Sequence, residues 1–164
     1  MEFSATGTVF ENNICTPSEN NNGQGGAIYF ATDKDHLESY AERTLTGCTF
    51  KDNSVSALNS VYNDDVKRYV RGGAIYVAGL PKVTINGGSF TGNSQKDYST
   101  YKLYGGGAIF SVSEIALSGV TLTENSAYYG GAIFSSSKIV LSDVTFSKNS
   151  ANFGGAFDFI GEQD

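Results

Sequence analysis

The chain has 164 residues, among them 20 glycines and two prolines, and its formal net charge is −6. Aromatic residues make up 13% of it, which is too many for a disordered linker. Glycine follows no three-residue period and proline is scarce, which excludes collagen. The acidic balance argues against a nucleic-acid partner, because such proteins gather Lys and Arg on one face. The length predicts a single domain over residues 1–164.

Two short motifs alternate along the chain. The first is Phe-x-x-Asn, with Leu replacing Phe once, and its residues are Phe10, Asn13, Phe50, Asn53, Phe90, Asn93, Leu122, Asn125, Phe146 and Asn149. The second is Gly-Gly-Ala-Ile, with Phe replacing Ile in the last copy, and its glycines are Gly25, Gly26, Gly72, Gly73, Gly106, Gly107, Gly130, Gly131, Gly154 and Gly155. Such repetition predicts a solenoid, in which each copy forms one structural unit.

Each unit also contains three short stretches in which apolar and polar residues alternate, as expected for β-strands. In the last part of the chain they are 132–135, 138–141 and 144–146. Hairpin signals do not recur between them, which argues against an up-and-down barrel. The pattern predicts an all-β, right-handed parallel β-helix of about five rungs with three short strands each, a rod roughly 24 Å long.

Equivalent positions on successive rungs stack in such a fold. The Phe and Ile positions of the two motifs are therefore expected to form two interior apolar columns, and the asparagines a hydrogen-bonded ladder at a corner. The asparagines are also expected to supply the left-handed backbone that such a corner often needs, since Asn tolerates it. The glycine pairs are assigned to the opposite corner, where a positive φ or lack of room excludes a Cβ atom.

Cysteine and histidine usage predicts neither a metal site nor a cofactor. Cys48 is expected in the core, Cys15 lies just past a corner, and a disulfide between them is not favoured. The single histidine, His36, has no second histidine near it, which argues against a His/Cys metal centre. The acidic stretches 33–35 and 63–65 are interpreted as solvated turns.

An aromatic column directly follows the Ile column: Tyr29, Tyr76, Phe110 and Phe134, with Asp158 in the fifth copy. Strand alternation turns these residues outward, so they predict an exposed aromatic stripe, a kind of surface found at interfaces. Two alternatives remain open at this stage. Loop residues could cover the stripe, or the Ile and aromatic residues could exchange sides at this bend.

Insertions interrupt the repeat at 14–24, 54–71 and 94–105, between an asparagine and the next glycine pair, and at 29–44. The first three are expected to emerge side by side on one edge of the rod. They are rich in tyrosine and basic residues, which suit recognition because they combine contact area with polar groups. The candidate partner-binding residues are Tyr62, Lys67, Arg68, Tyr69, Arg71, Tyr98, Tyr101, Lys102 and Tyr104, together with the aromatic column. The alternative is loop variation without a function.

The alternation of the two motifs between residues 10 and 157 resembles the repeats of the chlamydial polymorphic membrane proteins. The resemblance implies an autotransporter with a signal peptide, a β-helical passenger and a C-terminal membrane barrel. It also implies display at the outer membrane or cell surface, and adhesion in which both motifs are relevant. The sequence begins without a signal-peptide pattern. The chain is therefore expected to be a fragment of a longer passenger, reaching a membrane only through a barrel outside it.

The favoured function is an adhesin-type binding module, without enzymatic activity, for a protein or glycan on a host or neighbouring cell surface. A structural stalk is the second hypothesis. A polysaccharide-active enzyme is the third and least favoured hypothesis. Such enzymes need converging carboxylates, whereas the outward positions here are mostly Thr, Ser, Ala and Val. Open edges at the two ends of a β-helix also predict self-association, or reliance on a neighbouring domain.

Overall fold

The computed structural model describes residues 2–17, 22–32, 43–57, 70–97 and 104–161. These residues form β-strands and turns, and the strands wind into a parallel β-helix, which confirms the predicted fold. Among them no helix has the length and apolar character needed to cross a bilayer.

Three five-stranded parallel sheets run along the coil. Sheet 1 contains β1 Phe3–Thr6, β6 Arg43–Thr46, β11 Lys82–Asn86, β15 Glu114–Ser118 and β18 Ile139–Ser142. Sheet 2 contains β2 Val9–Glu11, β7 Thr49–Lys51, β12 Ser89–Thr91, β16 Thr121–Thr123 and β19 Thr145–Ser147. Sheet 3 contains β5 Ile28–Ala31, β10 Ile75–Ala78, β14 Ile109–Ser111, β17 Ile133–Ser135 and β20 Phe157–Phe159. Each rung takes one strand from each sheet, so the structure has the five rungs and three strands per rung that the repeats predict.

Two smaller parallel sheets lie between the asparagines and the glycine pairs. One contains β3 Ile14–Cys15, β8 Ser54–Ala57 and β13 Ser94–Asp97, and the other contains β4 Gly23–Gln24 and β9 Val70–Arg71. These strands occupy the outer ends of the predicted inserts 14–24, 54–71 and 94–105. Strands β5 and β6 likewise occupy the ends of 29–44. The regular scaffold therefore extends further into these segments than the repeat comparison predicts.

The register places both predicted apolar columns inside the coil. One stacks Phe10, Phe50, Phe90, Leu122 and Phe146, and the other stacks Ile28, Ile75, Ile109, Ile133 and Phe157. Phe50 and Phe90 are fully buried, and their ring centroids lie 4.6 Å apart in nearly parallel planes. Burial of one such side chain is worth about 1.5–3 kcal/mol, so the two columns supply much of the hydrophobic stabilisation.

Both cysteines are free thiols. Cys48 is buried in the main core, as predicted, with its Sγ 3.5 Å from the carbonyl oxygen of Ala5. Cys15 is half-buried and packs against Val55 and Val70 in a separate small cluster. The two thiols therefore belong to different parts of the packing.

Candidate functional site

The asparagines of the Phe-x-x-Asn motifs form the predicted ladder. Nδ2 of Asn53 donates to Oδ1 of Asn93, and Nδ2 of Asn93 donates to Oδ1 of Asn125, each over 2.9 Å. Nδ2 of Asn93 also donates to the carbonyl oxygen of Phe50 on the rung before, over 2.9 Å. Asn53, Asn93 and Asn125 are fully buried. Their side chains therefore hold successive rungs together and are not available to a partner.

The left-handed residue at this corner is not the ladder asparagine, so that prediction is wrong. A positive φ occurs one position earlier on every rung, at Asn12, Asp52, Gly92, Glu124 and Lys148. The backbone N–H of each buried asparagine donates to Oδ1 of the next, as Asn93 N does to Asn125 over 3.0 Å. The backbone N–H of the ladder asparagine is thus used in the ladder, and the left-handed residue of the turn lies one position before it.

The glycine pairs serve both purposes that the sequence predicts. The first glycine has a positive φ in four copies, Gly25, Gly72, Gly130 and Gly154. At the second glycine there is no room for a side chain, because a Cβ on Gly107 would overlap the carbonyl oxygen of Gly131 on the next rung. The same Cβ would lie 2.6 Å from the backbone nitrogen of Ser126. The pairs of the first four rungs therefore permit a close approach between neighbouring rungs.

The two motifs are not at opposite corners, which corrects the second expectation about the turns. Ser126, which the Gly107 backbone contacts, directly follows the ladder residue Asn125. Only residues 126–129 separate that asparagine from the next glycine pair. The glycine turn of one rung therefore packs against the asparagine corner of the following rung.

The aromatic column lies on the outer side of sheet 3, as predicted. Tyr29, Tyr76, Phe110 and Phe134 stack with ring centroids 5.2, 5.5 and 5.1 Å apart and nearly parallel planes. The last three form an apolar cluster separate from the main core. Alternation in the sequence thus gave the correct side of the strand for these residues.

The prediction that this column is exposed is wrong for three of its four residues. The exposed fractions are 57% for Tyr29, 7% for Tyr76, 2% for Phe110 and 2% for Phe134. The ring of Tyr104 stacks on Phe134 at 5.1 Å, and the guanidinium of Arg71 lies 4.8 Å from the centroid of Phe110. Both covering residues belong to the inserts, so the alternative in which loop residues cover the stripe is the one that holds.

A second group of rings, here called the aromatic corner, consists of Tyr104, Tyr128, Tyr129 and Phe153. Tyr129 lies at its centre, with ring centroids 4.9 Å from Tyr104, 5.0 Å from Tyr128 and 4.9 Å from Phe153. Tyr104 is 46% exposed and Phe153 is 53% exposed. Only Tyr104 was predicted as a site residue. The sequence does contain a signal for two of the others, because Tyr129 and Phe153 each directly precede a glycine pair and so occupy equivalent positions on neighbouring rungs.

A buried glutamine fixes the backbone beneath this corner. Nε2 of Gln95 donates to the carbonyl oxygen of Val70, and its Oε1 accepts the N–H of Tyr128, each over 3.2 Å. Gln95 is only 5% exposed. The amide therefore ties three successive rungs together at the base of the aromatic corner.

The aromatic corner is polar as well as aromatic. Burial raises the pKa of Tyr129 above its ordinary value of 10.0, and the neighbouring Tyr128, Tyr104 and Asp158 raise it further. The phenol therefore stays protonated at neutral pH, and a protonated phenol can donate a hydrogen bond. Asp158 occupies the position next to Phe134 in the register, which places a carboxylate beside the rings.

Most of the insert residues predicted to bind partners lie outside the described residues: Tyr62, Lys67, Arg68, Tyr69, Tyr98, Tyr101 and Lys102. The chain enters and leaves these segments at β8, β9, β13 and Tyr104. Among the described ranges, no group of three His, Cys, Asp or Glu side chains could hold a metal ion. The stretches 33–35 and 63–65, interpreted as solvated turns, also fall outside those ranges.

A comparison with known families bears on the two motifs. Residues 7–31, 119–136 and 143–158 match the family model of the Chlamydia polymorphic membrane protein repeat. Each matched stretch contains one Phe-x-x-Asn or Leu-x-x-Asn motif and the glycine pair that follows it. Neither the search of curated proteins nor the search of solved structures found a match. Three of the chain's five repeats therefore match the repeat of the Chlamydia polymorphic membrane proteins, as its two alternating motifs predict.

Proposed function

We propose that the chain is the binding module of a surface-displayed adhesin, and that it contacts a partner through the aromatic corner and the inserts beside it. The repeat family implies an autotransporter-type surface protein, located at the outer membrane or cell surface. The partner would be a protein or a glycan on a host or neighbouring cell.

The observation that carries this proposal is the exposure of large rings on a rigid scaffold. Tyr104 and Phe153 are about half exposed, while the Tyr129 ring between them is stacked on Phe153 and contacts the tilted ring of Tyr104. Aromatic side chains bury much area on binding and lose little conformational freedom, and they are frequent among residues that dominate binding energy. Exposed rings that neighbouring rings already hold in place are therefore suited to a binding surface.

The buried ladder bears on how the motifs contribute to binding. Asn53, Asn93 and Asn125 are fully buried, and the second glycine of each inner pair is covered by the next rung. A partner would therefore not touch these groups. We expect the motifs to support adhesion indirectly, because they position the corner at which the inserts enter and leave.

The test measures binding of fluorescently labelled chain to cultured host cells by flow cytometry. The variant combines Tyr104→Ser with Phe153→Ser, and the matched control combines Val112→Ser with Val140→Ser, two side chains exposed to a similar extent away from the corner. Loss of two hot-spot rings of about 2 kcal/mol each should weaken binding by at least tenfold, while the control binds like the parent.

Two further arms separate the remaining outcomes. Protease or glycosidase treatment of the cells distinguishes a protein partner from a glycan. Equal binding by the corner variant and the parent would contradict the proposed surface. If the parent chain binds no cell type, the continuous in-register sheets favour the second hypothesis, a structural stalk that holds other domains away from the membrane.

A further inference from the structure

We propose that the coil binds a short linear oligosaccharide in a groove at the opposite end of the sheet 3 strands from the aromatic corner. The groove lies where sheet 3 leads into sheet 1, and its volume of about 510 Å³ is in the range of ligand sites. It is lined by residues 79–81, 112–114, 137 and 138, from three successive connections between the two sheets. Because the two sites are separate, binding in the groove does not require binding at the aromatic corner.

The groove arises because the three connections differ in length. Four residues, 78–81, lie between the aligned end positions of the first connection, but two lie there in each of the others, 112–113 and 136–137. Leu80 is buried in the main core, while Pro81 beside it is exposed. The longer connection therefore forms a step beside the two shorter ones, and the groove follows this step.

Serine side chains hold the floor of the groove in one conformation. Oγ of Ser111 donates to the carbonyl oxygen of Ser113 over 2.7 Å, and Ser135 and Ser137 repeat this bond over 2.9 Å. Oγ of Ser113 in turn accepts the N–H of Leu80 over 3.1 Å, which ties the longer connection to the next one. A site that is fixed before binding loses less conformational freedom when a ligand binds.

Side chains of opposite charge alternate along the rim of the groove. The carboxylate of Glu114 lies 3.5 Å from Nζ of Lys82 and 3.3 Å from Nζ of Lys138. The two lysine side chains are 48% and 67% exposed and Glu114 is 25% exposed, so a ligand can reach all three groups. The carboxylate accepts hydrogen bonds and the ammonium groups donate them. Neighbouring hydroxyl groups of a sugar can satisfy both, and hydrogen bonds to ionised partners are the stronger kind.

The groove also has an apolar wall. Val112 is 41% exposed, and Pro81 contributes a second exposed apolar surface. A sugar ring carries hydroxyl groups around its edge and C–H groups on its faces, so it can contact a polar rim and an apolar wall at once. The rungs repeat every ~4.8 Å, close to the length of one sugar residue in a linear chain. Successive sugars would therefore meet equivalent positions on successive rungs.

An extended peptide fits this groove less well than a sugar. Such peptides bind largely through backbone hydrogen bonds to a free strand edge, whereas β10, β14 and β17 are paired on both sides. The connections also bond to each other: the N–H of Val112 donates to the carbonyl oxygen of Val77, and that of Ser136 to Ser111, each over 3.0 Å. The groove therefore offers a ligand mainly side-chain contacts.

The groove has the chemistry of a binding site and not that of a hydrolase. Among the described residues that line it, Glu114 is the sole carboxylate. Hydrolysis of a glycosidic bond normally uses two carboxyl groups that flank the bond. We therefore expect the oligosaccharide to be bound without cleavage.

Binding in an open groove is expected to be weak, with a Kd of about 1 mM. At this affinity one groove does not retain labelled chain on washed cells, so Val112→Ser remains a control in the cell-binding test of the aromatic corner. Many copies displayed on one surface would bind a polysaccharide more strongly together.

The first test is an NMR titration of isotopically labelled chain with cellohexaose, chitohexaose, maltohexaose and hexagalacturonate, which differ in linkage and charge. At least one of these probes should shift the backbone amide signals of residues 112–114, 137 and 138, and the shifts should saturate. No shift with any of the probes would overturn the proposal, as would shifts confined to Tyr104, Tyr128 and Tyr129. A threonine hexapeptide that shifts the groove signals when no sugar does so would show a peptide site instead.

The second test removes the charge at the centre of the rim. Glu114→Gln should weaken binding of the probe sugar roughly tenfold, because it replaces an ionised acceptor by a neutral one. The matched control is Glu124→Gln, since Glu124 forms a similar ion pair with Lys148 over 3.3 Å, after sheet 2 and away from the groove. Both variants should unfold in urea like the parent, because exposed ion pairs contribute little stability. Parent-like sugar binding by Glu114→Gln, or an equal loss in Glu124→Gln, would overturn the proposed site.

Discussion

Replacing Asn93 with alanine would remove four side-chain hydrogen bonds from the buried centre of the ladder. Nδ2 of Asn93 donates to Oδ1 of Asn125 and to the carbonyl oxygen of Phe50, each over 2.9 Å. Its Oδ1 accepts the backbone N–H and the Nδ2 of Asn53 over 3.0 and 2.9 Å. Because this part of the molecule is fully buried, water cannot replace the lost partners without a rearrangement of the rungs.

The magnitude follows from the number of bonds. A hydrogen bond contributes about 1 kcal/mol net, so four of them predict a loss of about 4 kcal/mol in the free energy of unfolding. Such a loss is a large part of the ~5–15 kcal/mol that stabilises a typical domain. Asn13→Ala is the matched control, because Asn13 is exposed and its Nδ2 donates to Asn53 over 2.8 Å in the described structure. Its loss should be about 1 kcal/mol or less.

The assay is urea unfolding followed by circular dichroism. Parent and variants should share one slope of free energy against urea, so that a shift in midpoint reports stability. If Asn93→Ala costs less than about 1 kcal/mol, or no more than Asn13→Ala, the ladder does not hold the rungs together and the reasoning fails.

Three further predictions concern the packing and the aromatic corner. Gly107→Ala should cost more than ~3 kcal/mol or prevent folding, since its Cβ would overlap the next rung, whereas Gly155→Ala should stay within ~0.5 kcal/mol. Equal thermal unfolding of these two variants would contradict the close approach. Phe90→Ala should lose about 3–5 kcal/mol in urea unfolding, because its ring is fully buried between Phe50, on which it stacks, and Leu122. A loss below ~1 kcal/mol would show that the column repacks. Burial raises the pKa of Tyr129 above 10.0, so the folded state holds the phenol proton more tightly than the unfolded chain does. That stabilisation is complete below about pH 10 and is lost as the pH rises through the raised pKa. Tyr129→Phe should therefore flatten the fall of the unfolding midpoint between about pH 9 and 11, and a slope like that of the parent would refute the assignment.

The architecture was predictable because the repeats encode the register directly. Once Phe50 and Phe90 occupy equivalent positions in two copies, stacking of the copies places one above the other, and the ladder of Asn53 and Asn93 follows from the same alignment. In a parallel β-helix, distance along the sequence therefore converts to distance along the axis. Few folds allow so much three-dimensional information to be taken from spacing alone.

The exposure of the aromatic column was not predictable in this way. Alternation decides which face of a strand a side chain occupies, and it placed Phe110 and Phe134 correctly on the outer face of sheet 3. Whether another part of the chain covers that face depends on the path of the inserts. Tyr104 and Arg71 come from insert ends that break the repeat, so no periodic pattern reports their position.

The positions of the turns were predictable from the repeats, but their contacts with each other were not. The sequence predicts two separate corners, one formed by the asparagine and one by the glycine pair. In the structure the two corners pack together, because the second glycine of a pair lies against the residue that follows the ladder asparagine on the next rung. The physical reason for the glycine at Gly107 is therefore the presence of Ser126 and Gly131 one rung later.

The same dependence gives Gly155 its significance. On the inner rungs the second glycine is required by a neighbour within the chain, whereas at Gly155 the described structure leaves room for a side chain. If the glycine requirement arises only from rung-to-rung contact, alanine should be tolerated at Gly155 and destabilising at Gly107. The two positions are equivalent in the repeat, so a difference in stability between the variants reports the presence of the neighbouring rung and not the glycine motif itself. A comparison of thermal unfolding for the two variants tests this reasoning, and equal losses of stability would contradict it.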